Sequence, residues 1–329
     1  MPPERQLDVG VVGVGSMGRN HARVYHGLPD ANLVGVFDID ADRATAVATE
    51  YGASPMGLDD LLASVDAVSV VVPTAHHYDV ATDCLEASVA TLVEKPVAED
   101  LETGRKLRSA ANAAAVPVQI GHIERFNPAV ETLESMIADL SVVGISAERL
   151  GPPPDRAIDD SAVLDLMIHD IDIVRSLLDA EPTAIQSSGV SDNRHAAALL
   201  EFDSGAMASL TASRLTQRKV RTLEVTAEEC LVEVDYIDQS IEIHRRSVPE
   251  YVEENGDVRF RHESLVERPR VPNEEPLRNE LAAFLETAAS GEPPRVTVDD
   301  GLAALAIAKR IEAQGESDRT AAGVEVAHD

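Results

Sequence analysis

The chain has 329 residues, 44% of them hydrophobic, and this length and composition are typical of a globular protein with two domains. Acidic residues outnumber basic ones by 58 to 28, and the formal net charge of −30 argues against nucleic acid or an anionic membrane as a partner. The sequence contains neither a transmembrane-length apolar run nor a secretory signal pattern, so we expect a cytoplasmic protein.

The acidic excess also predicts a dependence on salt. Repulsion among like charges destabilises the compact state unless salt screens it, and the Debye length falls to roughly 3 Å at 1 M salt. We therefore predict a protein adapted to a saline cytoplasm, of the haloarchaeal kind. The alternative is an acidic mesophile protein without this requirement.

The only two cysteines, Cys84 and Cys230, are far apart in the sequence and lack the spacing of a zinc site or a redox pair. We predict two buried free thiols rather than a disulfide. The histidines show no His-x3-His or Cys-His spacing, so no metal centre is predicted.

The first 121 residues alternate short apolar runs with helical patterns. The predicted strands are apolar on both faces, as in a buried parallel sheet, and span residues 7–12, 32–37, 67–72, 90–93 and 117–120. The predicted helices span residues 16–28, 41–51, 76–87 and 98–115. This alternation predicts right-handed βαβ units and therefore an N-terminal, doubly wound Rossmann domain over residues 1–121.

A different pattern follows Gly121. Helices are predicted at residues 127–140, where Asn-Pro is typical of a helix start, and at 161–178, separated by a proline-rich loop at 151–154. Strands without intervening helices are predicted at 196–202, 207–213, 221–226 and 231–236, and helices near 276–289 and 299–313. Residues 122–329 are thus predicted to form an α+β domain with a predominantly antiparallel sheet, for substrate binding and oligomerisation.

A glycine-rich motif lies between the first predicted strand and helix. The segment Gly13-Val14-Gly15-Ser16-Met17-Gly18 is G-x-G-x-x-G, in which the glycines allow a tight turn, close approach of a pyrophosphate, and helix–strand packing. The helix N-terminus offers free N–H donors to the phosphates. Asp38 stands twenty residues beyond Gly18, where a carboxylate accepts from the adenosine ribose hydroxyls. The alternative is a glycine-rich turn followed by a helix-capping aspartate.

The charges after the second strand favour NAD over NADP. Asp38, Asp40 and Asp42 would repel a 2′-phosphate, since two unit charges 4 Å apart in a partly wet site cost roughly 4 kcal/mol before screening. Arg43 is the one nearby cation, and we expect this solvated helix residue to point away.

Two further features suggest a catalytic centre. Lys95, one of only four lysines, follows Glu94 at the carboxyl end of the strand 90–93, the edge where parallel sheets bind ligands; the alternative is a surface lysine before a turn. Asp165 and His169 lie four residues apart on a helix that is apolar nearly all round. Such a helix is buried, so its carboxylate and imidazole must be paired or face a cavity.

In combination, these segments resemble the Gfo/Idh/MocA family, the glucose–fructose oxidoreductase and inositol dehydrogenase type. The matching segments are Gly13–Gly18, Pro73-Thr74-Ala75-His76-His77, Glu94-Lys95-Pro96, Asp165-x3-His169-x2-Asp172 and 297–305. The resemblance implies a Rossmann domain followed by a largely antiparallel sheet domain, assembled as homodimers or homotetramers through that sheet.

Within the family, the segment from Gly121 to Pro128 is most similar to members that act at C3 of UDP-N-acetylglucosamine and its uronic acid. One departure concerns the usual glycine pair ahead of the Asp/His helix, which Asp160-Ser161-Ala162 replaces here. This departure affects the expected shape of the substrate pocket more than the chemistry.

The chemistry of alcohol oxidation suggests a role for each of these residues. His169 is the candidate general base for alcohol oxidation, because its intrinsic pKa is near the working pH, and Asp165 would orient the substrate hydroxyl. Lys95, as the family implies, would bridge the nicotinamide ribose and the reacting oxygen.

Further cofactor contacts are expected from Pro73, Thr74 and Glu94. His77 either contacts the cofactor near the nicotinamide or is a surface residue, and Arg125 either binds a substrate phosphate or carboxylate or forms a structural ion pair.

Other functions stay open at this point. One alternative is an inositol or free-sugar dehydrogenase, and another is a biliverdin or imine reductase on the same scaffold. A third is a non-catalytic NAD-binding regulatory protein. The set of Lys95, Asp165 and His169 favours alcohol oxidation over the last two.

Overall fold

The computed structural model describes residues 6–153, 161–246, 250–254, 257–261 and 264–321. The chain forms two compact units. The first unit combines Met1–Phe126 with Glu274–Ile307, and the second combines Asn127–Asn273 with Ala308–Asp329.

The elements are numbered in chain order. Strands β1 to β6 are Leu7–Val12, Ala31–Phe37, Ser54–Pro55, Ala67–Val70, Ala90–Glu94 and Val118–Gly121. Strands β7 to β16 are Val142–Leu150, Ala184–Val190, His195–Glu201, Met207–Ser213, Val220–Ala227, Cys230–Asp235, Ser240–Arg246, Glu250–Glu254, Asp257–Arg261 and Ser264–Glu267. Helices α1 to α9 are Ser16–Gly27, Ala41–Tyr51, Leu58–Leu62, His77–Glu86, Leu101–Ala113, Pro128–Ile137, Ile168–Leu178, Pro276–Ser290 and Val298–Ala321.

The first unit contains the predicted Rossmann sheet. Its six strands are parallel, in the order β3-β2-β1-β4-β5-β6, which is the doubly wound arrangement with its switch point between β1 and β4. The carboxyl ends of the central strands lie in register, with Val12 opposite Val70 and Val70 opposite Val93. The segments that follow these ends therefore share one edge of the sheet, and this confirms the predicted fold class.

Local capping explains where two of its helices begin. Asp40 accepts from the backbone N–H of Arg43 at the start of α2, and Asp100 accepts from that of Thr103 at the start of α5. The helix predicted at 98–115 consequently begins three residues later. The short elements β3 and α3 were not predicted, since two and five residues carry too little periodicity.

Helix α8 belongs to the first unit. Its apolar face joins the hydrophobic core beside α1, through the buried residues Leu277, Leu281, Phe284 and Leu285. The division at residue 121 drawn from the sequence assigned this helix to the second domain. That assignment followed the order of residues along the chain. In the structure, the apolar face of α8 is buried in the hydrophobic core of the first unit.

The second unit contains an eight-stranded sheet in the order β16-β13-β12-β11-β7-β10-β9-β8. Neighbouring strands are antiparallel except for β7 and β10, which are parallel. Residues alternate between buried and more exposed positions, as Met207–Ser213 illustrates, so one face is packed and the other is open. This confirms the predominantly antiparallel sheet; the central strand β7 was not predicted.

The long apolar helix predicted at 161–178 is interrupted near its start. Residues Val163–Met167 form a π turn, in which the N–H of Ile168 donates to the carbonyl of Val163, and α7 continues from Ile168. A π turn is a local widening that often occurs at functional sites. Asp165 lies within it, and His169 lies on the α-helical part that follows.

Helix α9 is longer than predicted. Thr297 and Asp300 cap each other at its start. The N–H of Thr297 donates to Asp300 Oδ2 at 2.9 Å, and the N–H of Asp300 donates to Thr297 Oγ1 at 3.1 Å. The helix then continues to Ala321 instead of ending near residue 313.

The two thiols are free and buried, as predicted, and burial raises the pKa of Cys84 to about 12. Within the described part of the chain, every helix is too short or too polar to cross a lipid bilayer.

Candidate active site

The glycine loop after β1 needs glycine for steric reasons. Gly13 has a φ of +85°, and a Cβ there would lie 2.7 Å from the carbonyl oxygen of Val71. A Cβ on Gly18 would lie 1.8 Å from the carbonyl oxygen of Gly13, whereas one on Gly15 would meet no atom within 4 Å. The loop is therefore tight on its inner side and open at Gly15, which stands at the N-cap of α1. This cradle fits a dinucleotide pyrophosphate at a helix N-terminus.

The acid that follows β2 is held in place by the same loop. Asp38 Oδ2 accepts from the N–H of Val14 at 2.9 Å, and Oδ1 accepts from the N–H of Asp40 at 2.9 Å. The side chain of Asp38 is 5% exposed. The acid and the glycine loop are thus brought together as the motif predicted.

The expected direction of Arg43 is wrong. Its guanidinium donates from Nη1 to Asp38, at 3.2 Å to Oδ1 and 3.3 Å to Oδ2, and from Nη2 to Asp40 Oδ2 at 3.1 Å. Because Asp40 caps α2, Arg43 lies in the first turn and its side chain reaches back to both acids. A cation therefore lies beside the proposed ribose-binding carboxylate.

His77 is buried beneath the loops that follow β4 and β5. Its Nδ1 lies 2.9 Å from the carbonyl oxygen of Pro96 and its Nε2 lies 3.0 Å from that of Val72. The residue is 1% exposed, and this burial lowers its pKa. The surface alternative is wrong: the imidazole links the Lys95-Pro96 segment to the end of β4. Pro73 and Thr74 begin the 3-10 turn that leads into α4.

Glu94, the last residue of β5, is paired with a histidine that the sequence analysis missed. Glu94 Oε1 lies 3.0 Å from His21 Nε2, and Oε2 accepts from the N–H of Lys95 at 3.1 Å. Burial opposes ionisation of Glu94, but the hydrogen bond and charge of His21, together with Lys95, lower its pKa. His21 lies on the buried face of α1, three residues after Gly18.

A second buried acid lies in the same unit and was also missed. Glu280 on α8 is 0% exposed, and neither of its carboxyl oxygens has a hydrogen-bond partner among the described residues. Burial, then the charges of Glu94 and Glu124, raise the pKa of Glu280 well above its usual value. The apolar periodicity of α8 places Glu280 on the inward-facing side of the helix. This periodicity is the signal in the sequence from which the buried acid could have been predicted.

In the second unit, Asp165 is paired with an arginine that the sequence did not reveal. Arg214 Nη2 donates to Asp165 Oδ2, and the two side chains are 7% and 32% exposed. His169 is partly buried on the first turn of α7, and Asp172, three residues further on, is 1% exposed. Asp165 and His169 thus lie on successive turns of one continuous helical segment.

A buried ion pair anchors the start of α7. Arg149 on β7 donates from Nε and Nη2 to the two oxygens of Asp170, at 2.9 and 2.8 Å, and both side chains are almost fully buried. The guanidinium also lies over the ring of Tyr236, 5.0 Å from its centroid. Bidentate pairing with these distances fixes the orientation of the first helical turn that carries His169.

The remaining predicted residues are distributed between the units. Lys95 lies in the first unit, and Asp165 and His169 lie in the second. Arg125 is part of the 3-10 turn Ile123–Phe126 in the first unit, so both of its predicted roles stay open. Asp160, in the segment that replaces the family's glycine pair, lies outside the described residues, as does Pro154.

One group of potential metal ligands occurs among the described residues, on strands β12 and β13. Glu233, Glu242 and His244 place their donor atoms within 4.8 Å of one another. His244 Nε2 lies 3.0 Å from Glu233, and Arg268 donates to Glu242 at 2.8 Å. The group is part of a surface ion-pair network.

Comparisons with known proteins agree with this arrangement. Residues 7–122 match the GFO/IDH/MocA oxidoreductase family with an NAD-binding Rossmann fold, and residues 143–233 match the GFO/IDH/MocA C-terminal domain. The UDP-N-acetylglucosamine 3-dehydrogenase of Acidithiobacillus ferrooxidans is 36% identical over 245 residues, covering 73% of this chain and 77% of that protein. The scyllo-inositol 2-dehydrogenase (NAD(+)) of Bacillus subtilis is 32% identical over 234 residues, covering 64% and 68%.

A solved structure of the UDP-N-acetylglucosamine 3-dehydrogenase GnnA from Acidithiobacillus ferrooxidans superposes with a TM-score of 0.86 at 32% identity, covering 94% of this chain and 98% of that chain. Both family matches, the sequence relatives and the fold agree with the glycine loop, the six-stranded parallel sheet and the second, largely antiparallel sheet. The chain therefore belongs to the Gfo/Idh/MocA family of oxidoreductases.

Proposed function

We propose that this protein is an NAD-dependent dehydrogenase that oxidises a ring hydroxyl of a sugar or nucleotide sugar, with C3 of a UDP-N-acetylhexosamine as the first candidate. The observation that carries the proposal is the 36% identity to a UDP-N-acetylglucosamine 3-dehydrogenase, combined with Lys95, Asp165 and His169 in this chain. An inositol dehydrogenase is the second candidate, because a scyllo-inositol 2-dehydrogenase is 32% identical.

The first unit supplies the coenzyme-binding residues. The backbone N–H groups of Gly13–Gly18 and the N-terminus of α1 would hold the pyrophosphate, and Asp38 would accept from the adenosine ribose. We propose NAD rather than NADP because Asp38, Asp40 and Asp42 oppose a 2′-phosphate, and Arg43 is engaged by the first two. When bound, the coenzyme supplies the hydride acceptor.

Three side chains would handle the hydroxyl proton and the developing charge. His169 removes the proton as general base, which typically contributes about 10²- to 10⁴-fold in rate. Asp165, whose carboxyl group is paired with Arg214, orients the hydroxyl as a hydrogen-bond acceptor. Lys95 stabilises negative charge on the oxygen as the C–H bond breaks.

Substrate oxidation is measured by NADH absorbance with a panel of UDP-N-acetylglucosamine, its uronic acid, inositols and free hexoses. We expect turnover with a nucleotide sugar, and Lys95→Ala and His169→Ala should each reduce it at least about a hundredfold while NAD still binds. Lys106→Ala and His26→Ala change exposed residues of the same types and serve as controls. Wild-type turnover in either catalytic variant contradicts the assignment.

The same panel separates the remaining candidates. Turnover with inositols alone identifies an inositol dehydrogenase, and turnover with hexoses alone a free-sugar dehydrogenase. NAD binding without turnover of any member indicates a non-catalytic regulatory protein. We further propose a cytoplasmic homodimer or homotetramer.

A further inference from the structure

We propose that Arg214 is a positioning residue for the oxidation: it holds Asp165 as an ionised, oriented hydrogen-bond acceptor and leaves proton removal to His169. This role rests on the proposed function. It is carried by the contact between Arg214 Nη2 and Asp165 Oδ2, made by residues 49 positions apart in the sequence.

The backbone around Arg214 is fixed by the sheet. Arg214 directly follows β10, a strand paired on both sides, and its N–H donates to the carbonyl of Arg194 at 2.8 Å. The preceding residue, Ser213, accepts from the N–H of Gly151 at 2.9 Å through its carbonyl and from that of Leu215 at 3.1 Å through its hydroxyl. The guanidinium therefore projects from a rigid strand end rather than from a mobile loop.

The π turn that carries Asp165 is fixed as well. The N–H of Asp165 donates to the carbonyl of Ser161 at 3.1 Å, and the helix beyond the turn is anchored by the Arg149–Asp170 pair. A fixed donor and a fixed acceptor leave few orientations open to the carboxylate. Catalysis gains from such preorganisation, since a displacement of about 1 Å can reduce the rate on the order of a hundredfold.

Burial and charge decide the role. The Arg214 side chain is 7% exposed, and a guanidinium keeps its proton in proteins, so its charge favours the ionised form of the Asp165 carboxyl beside it. An ionised carboxylate accepts hydrogen bonds without donating them. The pair thus suits Asp165 to receive a hydrogen bond from a hydroxyl, and it makes His169 the group that exchanges the proton.

The test compares Arg214→Met, Arg214→Lys, Asp165→Asn and the double variant Arg214→Met/Asp165→Asn in the full-length protein. Measurements are kcat, the KM for the active sugar substrate, the Kd for NAD and the melting temperature. Arg175→Met is the matched control, because Arg175 also pairs with a carboxylate, that of Glu181, and its side chain is 13% exposed. It lies at the far end of α7 from His169.

We expect Arg214→Met to lower kcat by about 10- to 100-fold while the Kd for NAD is unchanged, and Arg214→Lys to recover part of the loss. Arg175→Met should leave kcat unchanged. The double variant should be no slower than Asp165→Asn alone, because Arg214 acts through Asp165. If Arg214→Met does not fold, the comparison of the double variant, in which both members of the pair are neutral, with Asp165→Asn gives the same information.

Wild-type kcat in Arg214→Met overturns this role, and so does a double variant whose loss is the product of the two single losses. A loss that Arg175→Met shares overturns it too, since the effect is then structural. If the wild-type protein turns over no substrate of the panel, the proposed function fails and this role fails with it. If the wild-type protein is active and Arg214→Met is equally active, only this role fails. The two failures are therefore distinguishable.

Discussion

Arg43 Nη1 lies 3.2 Å from Oδ1 and 3.3 Å from Oδ2 of Asp38, and these two residues form one ion pair where β2 leads into α2. The carboxylate that is proposed to bind the ribose is thus one of two acids, the other being Asp40, that are paired with Arg43. Removing Asp38 would therefore leave Arg43 paired with Asp40 alone, and its Nη1 could then bind a 2′-phosphate. We therefore expect the preference between NAD and NADP to depend on this pair.

Asp38→Ser is expected to change coenzyme preference. Loss of hydrogen bonds to a charged acceptor should reduce kcat/KM with NAD by about 10- to 100-fold, and Arg43, no longer paired with Asp38, should increase kcat/KM with NADP. Steady-state kinetics with both coenzymes measure the change. Asp38→Ser/Arg43→Ala is the control and should lose the gain with NADP; equal use of NADP by both variants would show that Arg43 is not responsible.

Glu280 should make stability depend on pH. Its pKa, ordinarily 4.5, is raised well above that value by burial and then by Glu94 and Glu124. Between about 4.5 and the raised value, the folded protein holds a proton that the unfolded chain releases. The stabilising effect of that proton is therefore lost as the pH rises, at about 1.4 kcal/mol per pH unit.

We expect Glu280→Gln, which does not ionise, to become more stable relative to the wild type as the pH rises from about 5 to about 8. Urea unfolding at several pH values measures the difference. Glu286→Gln changes an exposed residue of the same helix and is the control. A difference between Glu280→Gln and the wild type that stays constant with pH would contradict the raised pKa.

Replacing only one partner of the ion pair between Arg149 and Asp170 should destabilise the protein strongly. Both side chains are at most 4% exposed, so Asp170→Ala removes a carboxylate that accepts from two nitrogens of a buried guanidinium and is expected to destabilise the protein by about 3–5 kcal/mol. The double variant Arg149→Met/Asp170→Ala should regain part of this loss. Chemical unfolding followed by far-UV circular dichroism gives the values; a double variant less stable than Asp170→Ala would argue against the account.

Salt is expected to stabilise this protein. With a net charge of −30, screening at molar potassium chloride should raise the melting temperature by at least about 5 °C, or roughly 2 kcal/mol. Differential scanning calorimetry at low and molar salt measures the shift. A melting temperature that does not rise between low and molar potassium chloride would refute the electrostatic explanation.

The open face of the second sheet is expected to mediate oligomerisation. Met207 on β10 is 50% exposed on that face, and covering this apolar side chain would favour association through the sheet. Met207→Lys should shift the protein from dimers or tetramers towards monomers, as measured by sedimentation velocity. Ile237→Lys, at an equally exposed site in the turn after β12, is the control. A monomeric wild-type protein would contradict this expectation.

Hydrophobic periodicity and motif context were sufficient for much of the architecture. The apolar strands of the first 121 residues predicted the parallel sheet, and the glycine loop with Asp38 predicted a dinucleotide site, because both signals are local. The position of Asp165 and His169 on one buried helical segment was predicted for the same reason. Short elements such as α3, and the π turn within that segment, produce no comparable pattern.

The amino-acid sequence by itself thus determined the two kinds of sheet and the residue types of the candidate site. Only the tertiary structure decided which charges are paired: Arg214 with Asp165, 49 residues apart, and His21 with Glu94, 73 residues apart. The physical reason is that strand order and helix packing bring such groups together, and periodicity along one element contains no information about its neighbours in space. The packing of α8 into the first unit, which buries Glu280, depends on the same long-range contacts.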